Sequence, residues 1–331
     1  MKKISIYLLG LILTLLSVFP VGCFSNNPIE GDKSDFVAIN GKLSVQGTSL
    51  VNQAGEPVVL RGVSLGWHNW WPRFYNKSTV AWMKRDWNCN LIRAAIGVDP
   101  KKGYIDNPDF SIACLTNVVD AAIENNMYVI IDWHSHHIRL EEAKAFFTLA
   151  AEKYKDYPNI IYEIYNEPID DSWEEVKAYS EEIIKTIRSI DKDNVILVGT
   201  PHWDQDIHLA ADNPITGYTN IMYTLHFYAG THKQELRDRA DYALAKDLPI
   251  FVSECAGMNA DGDGAINLEE WNTWKEWMSR HRISWAAWSI ADKNETCSMI
   301  KSKKSPAYGW TENDLKEWGK IIRNTLQKEN K

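Results

Sequence analysis

Ile160-Ile161-Tyr162-Glu163-Ile164-Tyr165-Asn166-Glu167-Pro168 is followed by Trp173, Val176, Tyr179, Ile183, Ile187 and Ile190, spaced three and four apart. The first segment is a near-continuous apolar run, as expected of a strand covered on both faces in a parallel sheet. The second gathers its apolar residues on one side of a helix. Asp171 or Ser172 can cap that helix, and Glu174 and Glu175 favour its first turn. Pro168 cannot donate to a ladder, so pairing is expected to end there with Glu167 presented at the strand's C-terminal end.

The same alternation runs along the chain. Residues 58–63, 91–96, 128–132, 195–198, 221–227, 250–253 and 284–290 are comparable runs, which with 160–165 makes eight. Helical spacing recurs at 112–125, 141–154, 171–190, 235–245, 268–280 and 313–326. Eight strand–helix units predict an α/β fold closed as a single (β/α)8 TIM barrel. An open doubly wound sheet is the alternative, but Gly62-Val63-Ser64-Leu65-Gly66 is a poor phosphate-binding turn for one. No solenoid period or internal linker interrupts the rhythm, so one domain is expected over residues 38–328.

The 331-residue length suits one such barrel, and a core of that size does not require disulfides. The formal net charge of -8 argues against a phosphate backbone as partner, so no nucleic acid is expected. Tryptophan is abundant, with 15 copies, and flat amphipathic rings suit a sugar cleft as well as a core. Lys2 and Lys3 precede an apolar stretch, so residues 1–22 read as an export signal. Gly22-Cys23 resembles a lipoprotein cleavage box, with Pro20 where leucine is usual; ordinary signal cleavage is the alternative. Residues 23–37 then read as a polar tether, with membrane attachment through an acylated Cys23 and a cell-surface or secreted location. Cys89, Cys114, Cys255 and Cys297 are equally compatible with free buried thiols and with bridges.

Active sites of such barrels lie at the C-terminal strand ends. Glu167 ends the fourth run and Glu254 ends the seventh. Paired carboxylates cleave glycosidic bonds, with inversion or retention according to their separation. Arg93 lies inside an apolar run, where a charge needs a carboxylate partner; Glu254 is the one expected, and a purely structural ion pair is the alternative. The third run leads into His134-Ser135-His136-His137; the spacing is poor for a metal, so hydrogen bonding to sugar or glutamate is expected. Period two places His226 and Tyr228 on one face. Trp288 is expected as a sugar platform, whereas Trp67, Trp70, Trp71 and Trp203 are platforms or packing. Asn259, Asp261, Asp263, Gly264 and Glu270 approximate the spacing of a calcium loop, against the plainer reading of a polar turn.

Arg93, His134, Asn166-Glu167-Pro168, His226-Phe227-Tyr228, Glu254 and Trp288, in that order, resemble glycoside hydrolase family 5, the cellulase A family of retaining barrel enzymes. Leu60-Arg61-Gly62, Trp87-Asn88-Cys89-Asn90, Leu225-His226-Phe227-Tyr228-Ala229-Gly230 and Trp288-Ser289-Ile290-Ala291-Asp292-Lys293 resemble its bacterial endoglucanase subfamily. The resemblance spans residues 38–326. It implies Glu167 as general acid then base, Glu254 as nucleophile, and Asn166 on the sugar 2-hydroxyl. Arg93 and Tyr228 would hold Glu254, His134 and His226 would line the site, and Trp288 would floor it. Lys293, Glu295 and Trp70 would bind sugars on the non-reducing side. No cofactor is implied. The expected partner is a β-glucan polysaccharide bound by a monomer, with mannan, xylan or xyloglucan as rival backbones. A non-catalytic sugar-binding protein is a further reading, opposed by the retention of both glutamates.

On this division of labour Arg93 should depress the Glu254 pKa, and the Glu167 pKa should be raised. Strict alternation does not put Asn166 and Glu167 on one face, so a twist or bulge is required there.

Overall fold

In the computed structural model, which describes residues 36–301 and 304–330, all eight runs form parallel strands of one closed barrel. Helix α1 (Phe36–Asn40) and a hairpin of β1 (Ser44–Gln46) and β2 (Ser49–Val51) come first. The barrel begins with β3 (Arg61–Leu65), then α2 (Lys77–Trp87), β4 (Leu91–Gly97), α3 (Pro108–Glu124) and β5 (Tyr128–His134). It continues through α4 (Leu140–Tyr154), β6 (Ile160–Glu163), α5 (Trp173–Ile190) and β7 (Val195–Val198). Two short helices, α6 (Pro201–Asp204) and α7 (Ile207–Asp212), precede β8 (Ile221–Tyr228). Then come α8 (Gln234–Ala245), β9 (Ile250–Ala256), α9 (Leu268–His281), β10 (Trp285–Ile290) and α10 (Glu317–Glu329). Strands follow chain order around the barrel, and β10 closes it against β3.

Several boundaries differ from the sequence reading, for local reasons. The first barrel strand starts at Arg61 because Val58 N–H instead donates to Leu50 O, extending the hairpin. Helix α3 starts earlier, with Asn107 capping and Pro108 in its first turn. Helix α10 starts later, because Asp314 accepts from Thr311 and makes a turn. Ser172, not Asp171, caps α5, in a reciprocal box with Glu175. Residues 36 and 37, expected in the tether, belong to α1, and Val37 is buried. The expected signal and Cys23 lie outside the described residues.

Polarity changes along the barrel axis. Leu91, Ile130, Ile161, Leu197, Met222, Phe251 and Ala286 pack with Leu43 and Leu50 of the amino-terminal segment, which plugs the bottom. Two residues further along their strands come Arg93, Asp132, Glu163, Thr224 and Ser253, all fully buried. Period two keeps these on the same inner face, one layer nearer the strand ends. Gly62 is required by closeness of strands: a Cβ there would lie 1.8 Å from the Leu91 carbonyl oxygen. Cys89, Cys114, Cys255 and Cys297 are all free and buried, which resolves the cysteine alternatives.

Candidate active site

The inner polar layer is organised by Arg93. Its Nε donates to Glu163 Oε2 at 2.7 Å and its Nη2 to Glu163 Oε1 at 3.1 Å. Nη1 reaches Glu254 Oε2 at 3.0 Å, and Nη2 reaches Asn166 Oδ1 at 2.6 Å and Asp132 Oδ2 at 2.9 Å. One guanidinium therefore aims the second carboxylate and the asparagine, while two deeper carboxylates hold the guanidinium. Tyr228 Oη donates to the other Glu254 oxygen at 2.6 Å. The pairing of Arg93 with Glu254 is as expected, but Glu163 and Asp132 were not foreseen as its partners.

The strands deliver these groups by breaking strict alternation. Thr224 pairs with Phe251, but His226 pairs with Glu254, so β9 carries an extra residue against β8. Ser253 and Glu254 thereby both serve the inside. Strand β6 stops at Glu163, earlier than expected at Pro168. Beyond it Asn166 N–H donates to Trp133 O, and Glu167 N–H to Ser135 O, across to the β5 side. That release from the ladder lets adjacent residues Asn166 and Glu167 enter one site. The Asn166 Nδ2 amide is buried and has no hydrogen-bond partner among the described residues, so it can donate to a bound hydroxyl.

Glu167 and Glu254 face each other: a carboxylate oxygen of each and a ring nitrogen of His226 all lie within 4.8 Å of one another. His226 Nδ1 is 2.9 Å from Glu167 Oε1, and Nε2 is 2.8 Å from Ser253 Oγ. Ser253 Oγ in turn donates to Glu163 Oε1 at 2.6 Å, so it can accept from the ring. Nε2 is thus placed as a donor to Ser253, while Nδ1 faces the Glu167 carboxyl. Burial opposes the charge on His226, yet Asp204, Glu163 and Glu167 around it raise its pKa well above the usual histidine range.

The carboxylates divide in a way opposite to the sequence expectation. Burial alone would raise Glu167, but the hydrogen bond and charge of His226 outweigh it and hold Glu167 below the usual range. Burial pushes Glu254 up, and the Glu167 charge acts the same way, against Arg93 and Tyr228. The reversal arises because the carboxylates around His226, treated as a lining residue in the sequence, favour its charged form. Deeper in the layer, burial works against Glu163, but Arg93 and His226 bring it to about 2.

The two carboxylates stand where two lobes of a groove meet. One lobe, of about 270 Å³, is lined by Trp67, Trp70, Trp71, Trp288, Lys293 and Glu295. The other, of about 570 Å³, is lined by His202, Trp203, Gln205, Thr231 and His232. Glu167, Tyr228 and Glu254 line both. Trp288 is stacked with His134, centroids 5.3 Å apart at 3° between planes. His134 Nδ1 is fixed by Asp132 Oδ2 at 2.6 Å, and burial keeps the ring's pKa far below the ordinary value. Every site residue expected from the sequence therefore lines this groove or orders it. Trp203 sits apart from Trp70, Lys293 and Glu295, in the opposite lobe. The calcium-loop pattern has a different use: Glu270 is paired with Arg237, and Asp263 accepts from Thr296.

Residues missed in the sequence are Asp132, Glu163, Ser253 and Asp204. The first two had a visible signal, since each is a charge in an apolar run like the one that singled out Arg93. Asp204 had none, because its place depends on an unusual backbone after β7.

A closed barrel that sets two carboxylates this close at its strand ends, beneath tryptophan-lined lobes, has the site of a glycoside-cleaving enzyme. The chain belongs to glycosyl hydrolase family 5: the cellulase family profile matches residues 51–294. It is 39% identical to an endoglucanase of Clostridium saccharobutylicum over 98% of this chain and 72% of that protein. It is 44% identical to endoglucanase Z of Dickeya dadantii over 86% of this chain and 66% of that protein. The chain thus spans about two thirds of the length of these relatives. Among solved structures, a Cytophaga hutchinsonii protein superposes with a TM-score of 0.87 at 47% identity, covering 89% of this chain and 97% of that one. The catalytic domain of Thermobifida fusca endoglucanase Cel5A gives 0.82 at 31% identity, covering 88% and 99%. A variant of that domain has been solved with cellotetraose.

Proposed function

We propose that this protein is a retaining endo-β-1,4-glucanase that hydrolyses internal bonds of cellulose or mixed-linkage β-glucan. The observation that carries the reading is the approach of Glu167 and Glu254, one oxygen of each within 4.8 Å of the other, at the junction of two lobes. Carboxyls about 5 Å apart leave no room for a water between them and suit double displacement, whereas inverting pairs stand about 6.5–9.5 Å apart. Lobes on both sides suit a chain that continues past the broken bond in each direction. The names of the relatives, endoglucanases all, support a glucan backbone.

In the first step a Glu254 oxygen attacks the anomeric carbon, and the Glu167–His226 pair delivers one proton, through Glu167, to the departing glycosidic oxygen. The product is a glycosyl ester on Glu254. In the second step Glu167 takes a proton from water, whose oxygen displaces Glu254 from the same carbon. Two inversions give net retention. Arg93 and Tyr228 receive the carboxylate that Glu254 regains, and Asn166 Nδ2 is free to bind the neighbouring hydroxyl. Trp288, Trp70, Lys293 and Glu295 serve sugars on one side of the cut, and Trp203 on the other. The chain acts as a monomer. Export by residues 1–22, with acylation of Cys23 and a tether to the cell surface, completes the reading; it rests on Lys2-Lys3, the apolar stretch and Gly22-Cys23.

The test is hydrolysis of carboxymethylcellulose, barley glucan, mannan, xylan and xyloglucan, with product anomers followed by proton NMR. Glucan hydrolysis giving the β-anomer first is expected. Activity confined to mannan, xylan or xyloglucan would overturn the substrate, and an α-anomer would overturn the mechanism. Binding without hydrolysis would leave a carbohydrate-binding protein. Palmitate labelling lost in Cys23→Ser would support the anchor.

A further inference from the structure

His202, Trp203 and Asp204 are three consecutive non-glycine residues with left-handed backbone, φ 59°, 55° and 58°. L residues enter that region at a cost, and such cost collects at sites where a side chain must be aimed. Here the run separates neighbours. Trp203 is left 39% exposed in the groove, while Asp204 is turned inward and fully buried. Its Oδ1 accepts from Thr200 N–H at 2.5 Å, which fixes the carboxylate. Its Oδ2 lies 3.2 Å from His226 Nε2, an ion-pair distance, and has no hydrogen-bond partner among the described residues.

We propose that Asp204 is a positioning residue for the acid–base proton: from beneath His226 it keeps a proton on Nδ1, 2.9 Å from Glu167 Oε1. The proposal rests on the reading of Glu167 as the acid–base group. The groups facing the ring are Asp204 from α6, Glu163 of β6 at 3.7 Å, Glu167 beyond β6, and Ser253 of β9. Asp132 and His134 of β5, Glu254 of β9 and His232 after β8 act from further away, and Arg93 through Glu163. Glu163 is committed to Arg93, whereas among the described residues this ring is the one basic group at ion-pair distance from Asp204. Burial drives Asp204 upward and works against the ring's charge; the ring opposes the first effect, and Asp204, with Glu163 and Glu167, opposes the second.

The proton count closes over a turnover. The Glu167–His226 pair gives one proton to the glycosidic oxygen as the carbon–oxygen bond breaks. A carboxylate beside a neutral imidazole remains. The pair takes one proton back from water in the second step. Removing the Asp204 charge weakens the pair's hold on that proton, so the pair must empty at lower pH.

The test compares wild type with Asp204→Asn across pH in kcat/KM, which reports groups of the free enzyme. Two substrates are used, phenyl β-cellobioside and 2,4-dinitrophenyl β-cellobioside, whose leaving group needs no proton. For the phenyl substrate the alkaline limb is expected to move down by about 1–3 pH units. For the dinitrophenyl substrate it is expected to stay. An unmoved phenyl limb, or equal change on both substrates, overturns the proposal. If Asp204→Asn does not fold, ¹⁵N NMR of the wild-type histidines decides instead. A doubly protonated His226 ring at neutral pH is expected, and a neutral ring overturns the proposal. Azide rescue of Glu167→Ala on the dinitrophenyl substrate tests the underlying reading separately. Its failure removes the acid–base role itself, whatever Asp204 does.

Discussion

Arg93 and Glu163 form a two-pronged ion pair inside the barrel, at 2.7 and 3.1 Å, with both side chains wholly excluded from water. The guanidinium is planar, so fixing two of its nitrogens fixes the direction of the third. That third nitrogen is the one that meets Glu254. The reactive carboxylate is thus aimed from below by a residue that never touches the groove. Glu163→Gln keeps the shape and removes the charge. It is expected to cost about 3–5 kcal/mol of unfolding free energy, the usual consequence of leaving a buried charge short of its partner. Urea titration should show a lower midpoint with an unchanged slope. A loss under about 1 kcal/mol would mean that Asp132 and Glu254 suffice to hold Arg93.

The same pair shows how far the sequence could be read. Eight apolar runs and their amphipathic partners were enough for the barrel, because burial on both faces leaves a pattern with no other easy meaning. Glu167 and Glu254 were legible as charges at strand ends. Arg93 was legible as a charge inside a run, but its partner was sought only at the rim. Glu163 stands in the run 160–165 and met the same criterion. Two buried charges in different strands predict each other, and that inference needs no coordinates. The bulge in β9 and the early end of β6 were not readable, since they come from how neighbouring strands pair and not from either strand alone. The charge on His226 was hidden for a related reason: Asp204 reaches it only through a left-handed turn.

Glu254→Gln is expected to bind cello-oligosaccharides with near-native affinity while kcat falls by at least about 10³-fold. The amide retains the contact with Arg93 through its oxygen, but it is not a nucleophile. Calorimetry with cellotetraose, beside a reducing-sugar assay, separates the two effects. A parallel loss of affinity and rate would place Glu254 in substrate binding and not in bond formation.

Acid should weaken the fold through histidines that are buried neutral. Burial brings His68 to about 4 and His232 to about 4, and it also keeps His134 far below the ordinary value. In the unfolded chain each titrates near 6.5. Between pH 6.5 and 4 the unfolded state binds protons that the folded state refuses, so stability falls as pH falls. Each of His68 and His232 then removes on the order of 3 kcal/mol by pH 4. Glu167, depressed in the fold, adds loss on the acid side as pH drops through its folded value. His226 has the opposite sign, and its contribution is full below 6.5 and lost as pH rises through its raised value. His68 Nδ1 accepts from Gly97 N–H and its Nε2 meets Ser111 Oγ, so the neutral form is the one bound. In His68→Gln the slope of unfolding free energy against pH from 6.5 to 4 should drop by nearly one proton. An unchanged slope would show that the ring takes a proton within the fold.

Two tryptophans in the groove should respond differently to the same truncation. Trp288 is nearly buried, and its ring lies parallel to that of His134. Trp203 is 39% exposed and sits in the opposite lobe. Truncating a buried indole removes packing that cannot be recovered, so Trp288→Ala is expected to lose about 3–5 kcal/mol of stability as well as activity. The exposed ring of Trp203 has little packing to lose. Trp203→Ala should leave the melting temperature within a few degrees of wild type, as for most changes at exposed positions. Its cost should fall on substrate: on the scale of an aromatic-pair contact, about 0.5–1.5 kcal/mol, KM on barley glucan should rise roughly 2- to 12-fold. Aryl cellobiosides place only the aryl group in that lobe, so their KM should move less. If KM on the polymer is unchanged, Trp203 is a surface residue that lines the lobe without serving it.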